Sequence, residues 1–114
     1  MEKVELIKQW AKDRNLQTGK PEGQMLKLLE EAGELASGIA KSNDHVTRDS
    51  VGDIFVVLTV LCLQLDIDIE ECIDMAYDEI KDRKGKLING VFVKEEDLPA
   101  AGRQVRVRVR GLMV

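Results

Sequence analysis

From Ile54 to Leu65 the chain runs twelve residues with only Thr59 and Gln64 polar. A segment that is apolar on every side has to lie at the centre of whatever the rest of the chain builds, and this one is too short to cross a membrane as a helix. It predicts a central buried helix. Asp53 stands at the mouth of this run, where an ionised carboxylate requires a partner. With no long linker or repeat to divide the chain, residues 1–97 are expected to form one domain and 98–114 a basic tail.

Acids gather just ahead of the central run and again upstream of it. Glu30-Glu31-Ala32-Gly33-Glu34 precedes a polar linker, Ser42-Asn43-Asp44, and Asp49-Ser50-Val51-Gly52-Asp53 follows it. On helices, Glu31 and Glu34 at a spacing of three, and Asp49 and Asp53 at a spacing of four, project side by side. If the helices face each other, the pairs make an acidic pocket. No basic residue lies between Ala32 and Lys41 to compensate. Two carboxylates about 4 Å apart repel by roughly 4 kcal/mol at an effective dielectric near 20, so several converging ones need protons or a cation. An all-oxygen ligand set favours a hard ion, Mg2+ or Mn2+.

The remaining segments read as helices around this pair. Val4, Leu6, Ile7, Trp10 and Ala11 recur at helical spacing over residues 2–15. Asn15 to Gly23 breaks that pattern, and Pro21 suits the first turn of a second helix reaching about Lys41. On it Met25, Leu28, Leu29, Ala32, Leu35, Ala36 and Ile39 form one apolar stripe. Glu31 falls at the stripe's edge, Glu34 about 60° further round and Glu30 about 40° beyond that. Gly33 and Gly38 each cost about 1 kcal/mol of helix propensity relative to Ala, which suggests close approach by a neighbour or ligand. Asp44 or Thr47 could cap the third helix. A fourth helix to about Lys84 would bury Ile69, Ile73, Ala76 and Ile80 and end at a Gly85 cap, followed by an arm or hairpin turning at Asn89-Gly90.

The formal net charge is −4, and the only charges beyond Asp97 are Arg103, Arg106, Arg108 and Arg110, so the body carries −8 against +4 in the tail. Such a body repels bare nucleic acid. The Val-Arg alternation of the tail suits an edge strand or a disordered end, without a catalytic role. The only cysteines, Cys62 and Cys72, read as reduced and buried, and with His45 the only histidine neither a zinc site nor a Cys/His nucleophile is supported. The start Met-Glu-Lys-Val lacks the basic and apolar regions of a signal peptide, so the expected location is cytoplasmic, without membrane attachment. At 114 residues the core is modest, and subunit association is expected to complete it.

These residues resemble the MazG-like nucleoside triphosphate pyrophosphohydrolases, an all-α superfamily marked by Glu-x-x-Glu on one helix and Glu-x-x-Asp on the next. Glu31-Ala32-Gly33-Glu34 matches the first half; Ser50-Val51-Gly52-Asp53 matches the second, with Ser50 in place of the Glu. Asp49 points about 100° away from Ser50 and would substitute only through a shift or a bridging water. The resemblance extends from Ile7 to about Asp97 and includes Glu79 to Lys86 and Asn89 to Lys94; Asp78-Glu79-Ile80-Lys81 stands where the family has a pattern similar to Asn-x-x-Lys. It implies an all-α bundle of about four helices with a short extended C-terminal arm, assembled as a dimer or tetramer. It also implies Mg2+-dependent hydrolysis of a (d)NTP between its α- and β-phosphates, giving (d)NMP and pyrophosphate.

By the same resemblance Glu31, Glu34 and Asp53 are the expected metal ligands and Glu30 a further ligand or the base that orients water. Asp49 and Ser50 stand behind them. Lys81 and Arg83 are candidate phosphate contacts, although pairing with helix neighbours such as Glu79 is an equal alternative. Asp78 is a candidate base or sugar contact, and Gln9 and Trp10 candidate pocket residues, although a lone Trp on an amphipathic helix more often belongs to the core. Phosphoribosyl-ATP hydrolysis, by a relative of the same superfamily, and a degenerate helical module that binds nucleotide or protein without turnover are the competing expectations.

Overall fold

The apolar run lies within a longer helix than its composition suggests. In the computed structural model, which describes residues 1–98, four helices are followed by a hairpin: α1 (Glu2–Asp13), α2 (Pro21–Ala40), α3 (Asp44–Gln64), α4 (Ile69–Ile80), β1 (Gly85–Ile88) and β2 (Val91–Lys94). Single 3-10 turns occupy Leu16–Thr18 and Glu95–Asp97. The all-α expectation with a short extended arm holds. The arginine-rich tail and the rest of residues 99–114 lie outside the described residues.

Local chemistry sets the boundaries. Asn15, Ser42 and Asp66 each take a left-handed backbone conformation at a connection, with φ of 59°, 51° and 55°, and Asn and Asp tolerate this better than other side chains. Pro21 occupies the first turn of α2. The cap of α3 is Asn43, not Asp44 or Thr47: its side-chain oxygen accepts the Val46 amide at 3.1 Å. The helix therefore starts ten residues before the apolar run, and Asp53 sits well inside it rather than near its start. Helix α4 stops at Ile80, short of Lys84, and Gly85 opens β1 instead of capping the helix. A Cβ at Gly85 would collide with the Val93 carbonyl and lie 2.7 Å from the Phe92 ring, so strand pairing claims this glycine. The hairpin turns at Asn89 and Gly90, with φ of 50° and 80°, in the type I′ geometry that suits strand twist.

The described chain divides into two compact units, Met1–Cys72 and Ile73 onward, with the boundary inside α4. In the first, α2 and α3 form an antiparallel pair and α1 packs on α3. Val4 and Ala11 turn inward from α1, and Val57, Thr59 and Val60 are buried on α3. Ile69, in the first turn of α4, is also buried. Contrary to the periodicity, Ile73, Ala76 and Ile80 are exposed.

The contact line of α2 is shifted from its apolar stripe. Gln24, Leu28, Glu31, Leu35 and Gly38 are its inward residues, at alternating spacings of four and three. The row about 100° to one side, Met25, Leu29, Ala32, Ala36 and Ile39, is open, with Leu29 63% and Ile39 62% exposed. The row on the other side holds Lys27, Glu30, Glu34 and Ser37, also exposed. Gly38 explains the register: a Cβ there would sit 2.9 Å from Thr47 Oγ1 and 3.0 Å from the Thr47 amide nitrogen, so α3 approaches as closely as only glycine permits. Nothing comes within 4 Å of a Cβ at Gly33. Gly38→Ala should thus lower stability by about 1–3 kcal/mol through overpacking, whereas Gly33→Ala should raise it by up to about 1 kcal/mol through helix propensity. Urea denaturation of the two variants checks the pair of opposite signs.

Candidate functional site

The α2/α3 register brings three of the expected acids together. Gly38 lies against Thr47, and Gln24 Nε2 donates to the Val57 carbonyl at 3.2 Å, which fixes the antiparallel alignment one end to the other. Between these points Glu31 is turned into the packed row and is only 7% exposed. Its carboxyl is hydrogen-bonded with that of Glu34 and feels the charge of Asp53 across from α3. Its Oε2 is buried and has no hydrogen-bond partner.

Burial, chiefly, raises the Glu31 pKa above the ordinary carboxyl value, and the Glu34 charge, the shared hydrogen bond and the Asp53 charge push the same way. Lys27, one turn earlier on α2, opposes them. Lys27 is the one residue of this neighbourhood overlooked among the sequence expectations, although its spacing of four from Glu31 was the readable signal. Holding its own proton more readily is one way in which Glu31 relieves this repulsion.

A divalent cation is the other way to relieve the same repulsion. The donors are all hard oxygens and one buried carboxylate oxygen is unclaimed, which fits Mg2+ or Mn2+. Among the described residues, however, no three Asp, Glu, His or Cys side chains already converge as ligands around one point. Glu31, Glu34 and Asp53 share a neighbourhood without forming a finished cage. Glu34 is exposed and Asp53 half-buried, so their side chains have room to turn inward.

The other expected residues stand elsewhere. Glu30 is exposed on the acidic flank of α2, and Asp49 is exposed on α3. Ser50 is 2% exposed because it falls in the α3 row that packs on α2, where a small hydroxyl side chain fits. Gln9 is exposed and donates to Asp13 Oδ1 at 2.7 Å. Trp10 does not belong to the core: it is 45% exposed, carries the Arg14 guanidinium 4.7 Å above its ring, and lines an apolar hollow of about 350 Å³ with Leu6, Ile7 and Val56. In the second unit Lys81 pairs with Asp78 at 3.3 Å and Arg83 with Glu79 at 3.4 Å, so local partners engage both cations.

Three comparisons bear on this arrangement. The family model described as the MazG nucleotide pyrophosphohydrolase domain matches residues 20–88, a span that holds both acidic segments and excludes Gln9 and Trp10. A relative, the "Uncharacterized 18.2 kDa protein in rep-hol intergenic region" of Haemophilus phage HP1 (strain HP1c1), is 50% identical over 66 residues. That stretch covers 57% of this chain and 40% of the phage protein, so the chain spans well under two thirds of that relative. No solved structure matches.

Because the folded chain holds the Glu31 proton more tightly than the unfolded chain does, this group favours folding most below its ordinary value of 4.5, and the contribution is lost as pH rises through the raised folded value. Glu31→Gln, which keeps the shape and removes the charge, should make the metal-free protein more stable than its parent at neutral pH and should flatten the fall in Tm between mildly acidic and neutral buffer. Thermal melts in EDTA across that pH range check it.

Proposed function

Since the chain belongs to the MazG nucleotide pyrophosphohydrolase domain family, we propose that it hydrolyses a nucleoside triphosphate between the α- and β-phosphates, releasing a nucleoside monophosphate and pyrophosphate. The single observation that supports this most is the buried, unpartnered Oε2 of Glu31 beside Glu34 and Asp53. Carboxylates held against each other inside a helix pair are costly in a purely structural role, and become useful when a polyphosphate arrives with its cation.

In this reading Glu31, Glu34 and Asp53 hold Mg2+, with Mn2+ an alternative. When bound, the ion supplies charge neutralisation on the phosphate oxygens and a lower pKa for bound water. Hydrolysis of a phosphoric anhydride leaves the protein mostly positioning and electrostatics to provide. Glu31 is fixed by the packing of α2 on α3 and anchors the group. Glu34 and Asp53, one from each helix, would supply further oxygen ligands. Glu30, exposed on the same flank, accepts a proton from water. Lys27 offsets part of the negative charge while the site is empty of substrate. Ser50 supplies no carboxylate, so this site is one ligand poorer than the family pattern, and Asp49, about 100° round α3 from Ser50, does not replace it directly.

The open row of α2, together with exposed Leu26 and Val51, adds up to an apolar surface unusual on a monomer. A second copy of the chain covering it accounts for this, and a homo-oligomer, dimer or tetramer, is part of the proposal.

Incubated with each NTP and dNTP and saturating Mg2+, the protein should release pyrophosphate. Release of orthophosphate alone, or binding without Mg2+ dependence or product, would contradict the reading. Glu34→Gln and Asp53→Asn should each lower kcat by roughly 100-fold or more with unchanged helical circular dichroism, and full activity in both variants would refute the ligand assignment. Light scattering on a sizing column should give a multiple of the chain mass, and Leu29→Glu combined with Ile39→Glu should reduce it to that of one chain.

A further inference from the structure

A carboxamide stands in the packed row of α2 where an aliphatic side chain would serve the core as well. Gln24 opens the inward line that continues through Leu28, Glu31, Leu35 and Gly38, and it is half-buried. Its Nε2 donates to the Val57 carbonyl of α3 at 3.2 Å. Val57 lies in the interior of α3, so the helix already gives that carbonyl the Leu61 amide, and Gln24 uses its second lone pair. The fold therefore does not need this bond to satisfy a buried acceptor. What the bond fixes is place. Asp53 comes about one turn before Val57 on α3, and Glu31 about two turns after Gln24 on α2, with Gly38 about two turns further on against Thr47. Glu31 thus lies midway between two attachments, about 10 Å along the axis from each.

We propose that Gln24 is a positioning residue: its bond to Val57 holds the far end of α2 against α3 so that Glu31 stays turned toward Asp53. The geometry rests on the hydrogen bond, and the consequence for catalysis rests on the hydrolase reading given above. The near end of α2 is pinned by the close approach of Gly38 to Thr47 and by the short connection to α3. Without the far attachment α2 pivots about that end, and a displacement of about 2 Å at residue 24 moves Glu31 by about half as much. An error of about 1 Å is enough to spoil an oxygen ligand set for a cation that demands near-ideal geometry. A polar side chain at a packed helix position can specify alignment at some cost in stability. Leu at position 24 would keep the burial and lose the alignment. Gln24 touches neither ion nor substrate in this scheme and acts through Glu31.

The test compares the full chain with Gln24→Leu, which removes the donor, and Gln24→Lys, which restores a donor of similar reach. Mn2+ alone, titrated into metal-free protein and followed by its electron paramagnetic resonance signal, should bind Gln24→Leu about 10-fold or more weakly than the parent, while urea denaturation finds the variant no less stable. With Mg2+ and an NTP that the parent turns over, Gln24→Leu should lose kcat by a similar factor with a smaller change in KM, and Gln24→Lys should recover most of both losses. In metal-free Gln24→Leu, nuclear Overhauser cross-peaks between residues 38 and 47 should persist while those between residues 24 and 57 weaken. Parent-like Mn2+ affinity and kcat in Gln24→Leu, undiminished cross-peaks between residues 24 and 57, or a loss that tracks a fall in stability and is not rescued by Gln24→Lys overturns the proposal. A parent that binds no Mn2+ and releases no pyrophosphate fails the hydrolase reading itself, whereas an active parent beside an unimpaired Gln24→Leu fails only the positioning role.

Discussion

A carboxyl group packed into a helix-helix contact governs this molecule. Glu31 takes a position on α2 that alternation of four and three would ordinarily give to Leu or Val, between Leu28 and Leu35 and facing α3. Because its charged form is disfavoured there, the surroundings must supply a proton, a cation or both, and Glu34 and Asp53 stand where either can be shared. The nearby Lys27 gives only partial relief from the exposed side of the helix.

That one placement orders the rest of α2. With Glu31 facing inward, Glu30 and Glu34 are carried to one flank and Met25, Leu29 and Ile39 to the other. An exposed acidic flank and an exposed apolar flank are thus consequences of the same rotation, and Gly38 makes the rotation possible by letting Thr47 come close. Had α2 packed through the centre of its apolar stripe, the acids would have pointed away from α3 and from Asp53.

The connections do comparable work with backbone conformation. Left-handed residues stand at 15, 42, 66 and 89; those at 42 and 89 reverse the chain so that α2 lies along α3 and β1 along β2. Beside the α3–α4 turn Cys62 is half-buried and Cys72 exposed, against the expectation that both are buried. The hairpin, with its Asn-Gly turn and a glycine opposite Lys94, follows the same logic at smaller scale.

Helix count, the hairpin turn and the acidic pairs were legible in the chain because each rests on neighbours within a few residues: period 3.6, Pro21 at a helix start, Asn89-Gly90 at φ above zero. The sequence determined by itself that Glu31 and Glu34 share one side of α2 and that most of the buried residues of α3, Val57, Thr59 and Val60, fall in the apolar run, although the rest of that run is only half-buried and Leu65 is exposed. Only tertiary structure decided that the inward line of α2 runs through Glu31 instead of through Leu29 and Ile39, that Ser50 is buried, and that Trp10 and Ile73 are not. Those outcomes depend on how closely one backbone can approach another, which is fixed by residues far apart in the chain, such as Gly38 with Thr47 and Gln24 with Val57, and no local periodicity encodes such a distance.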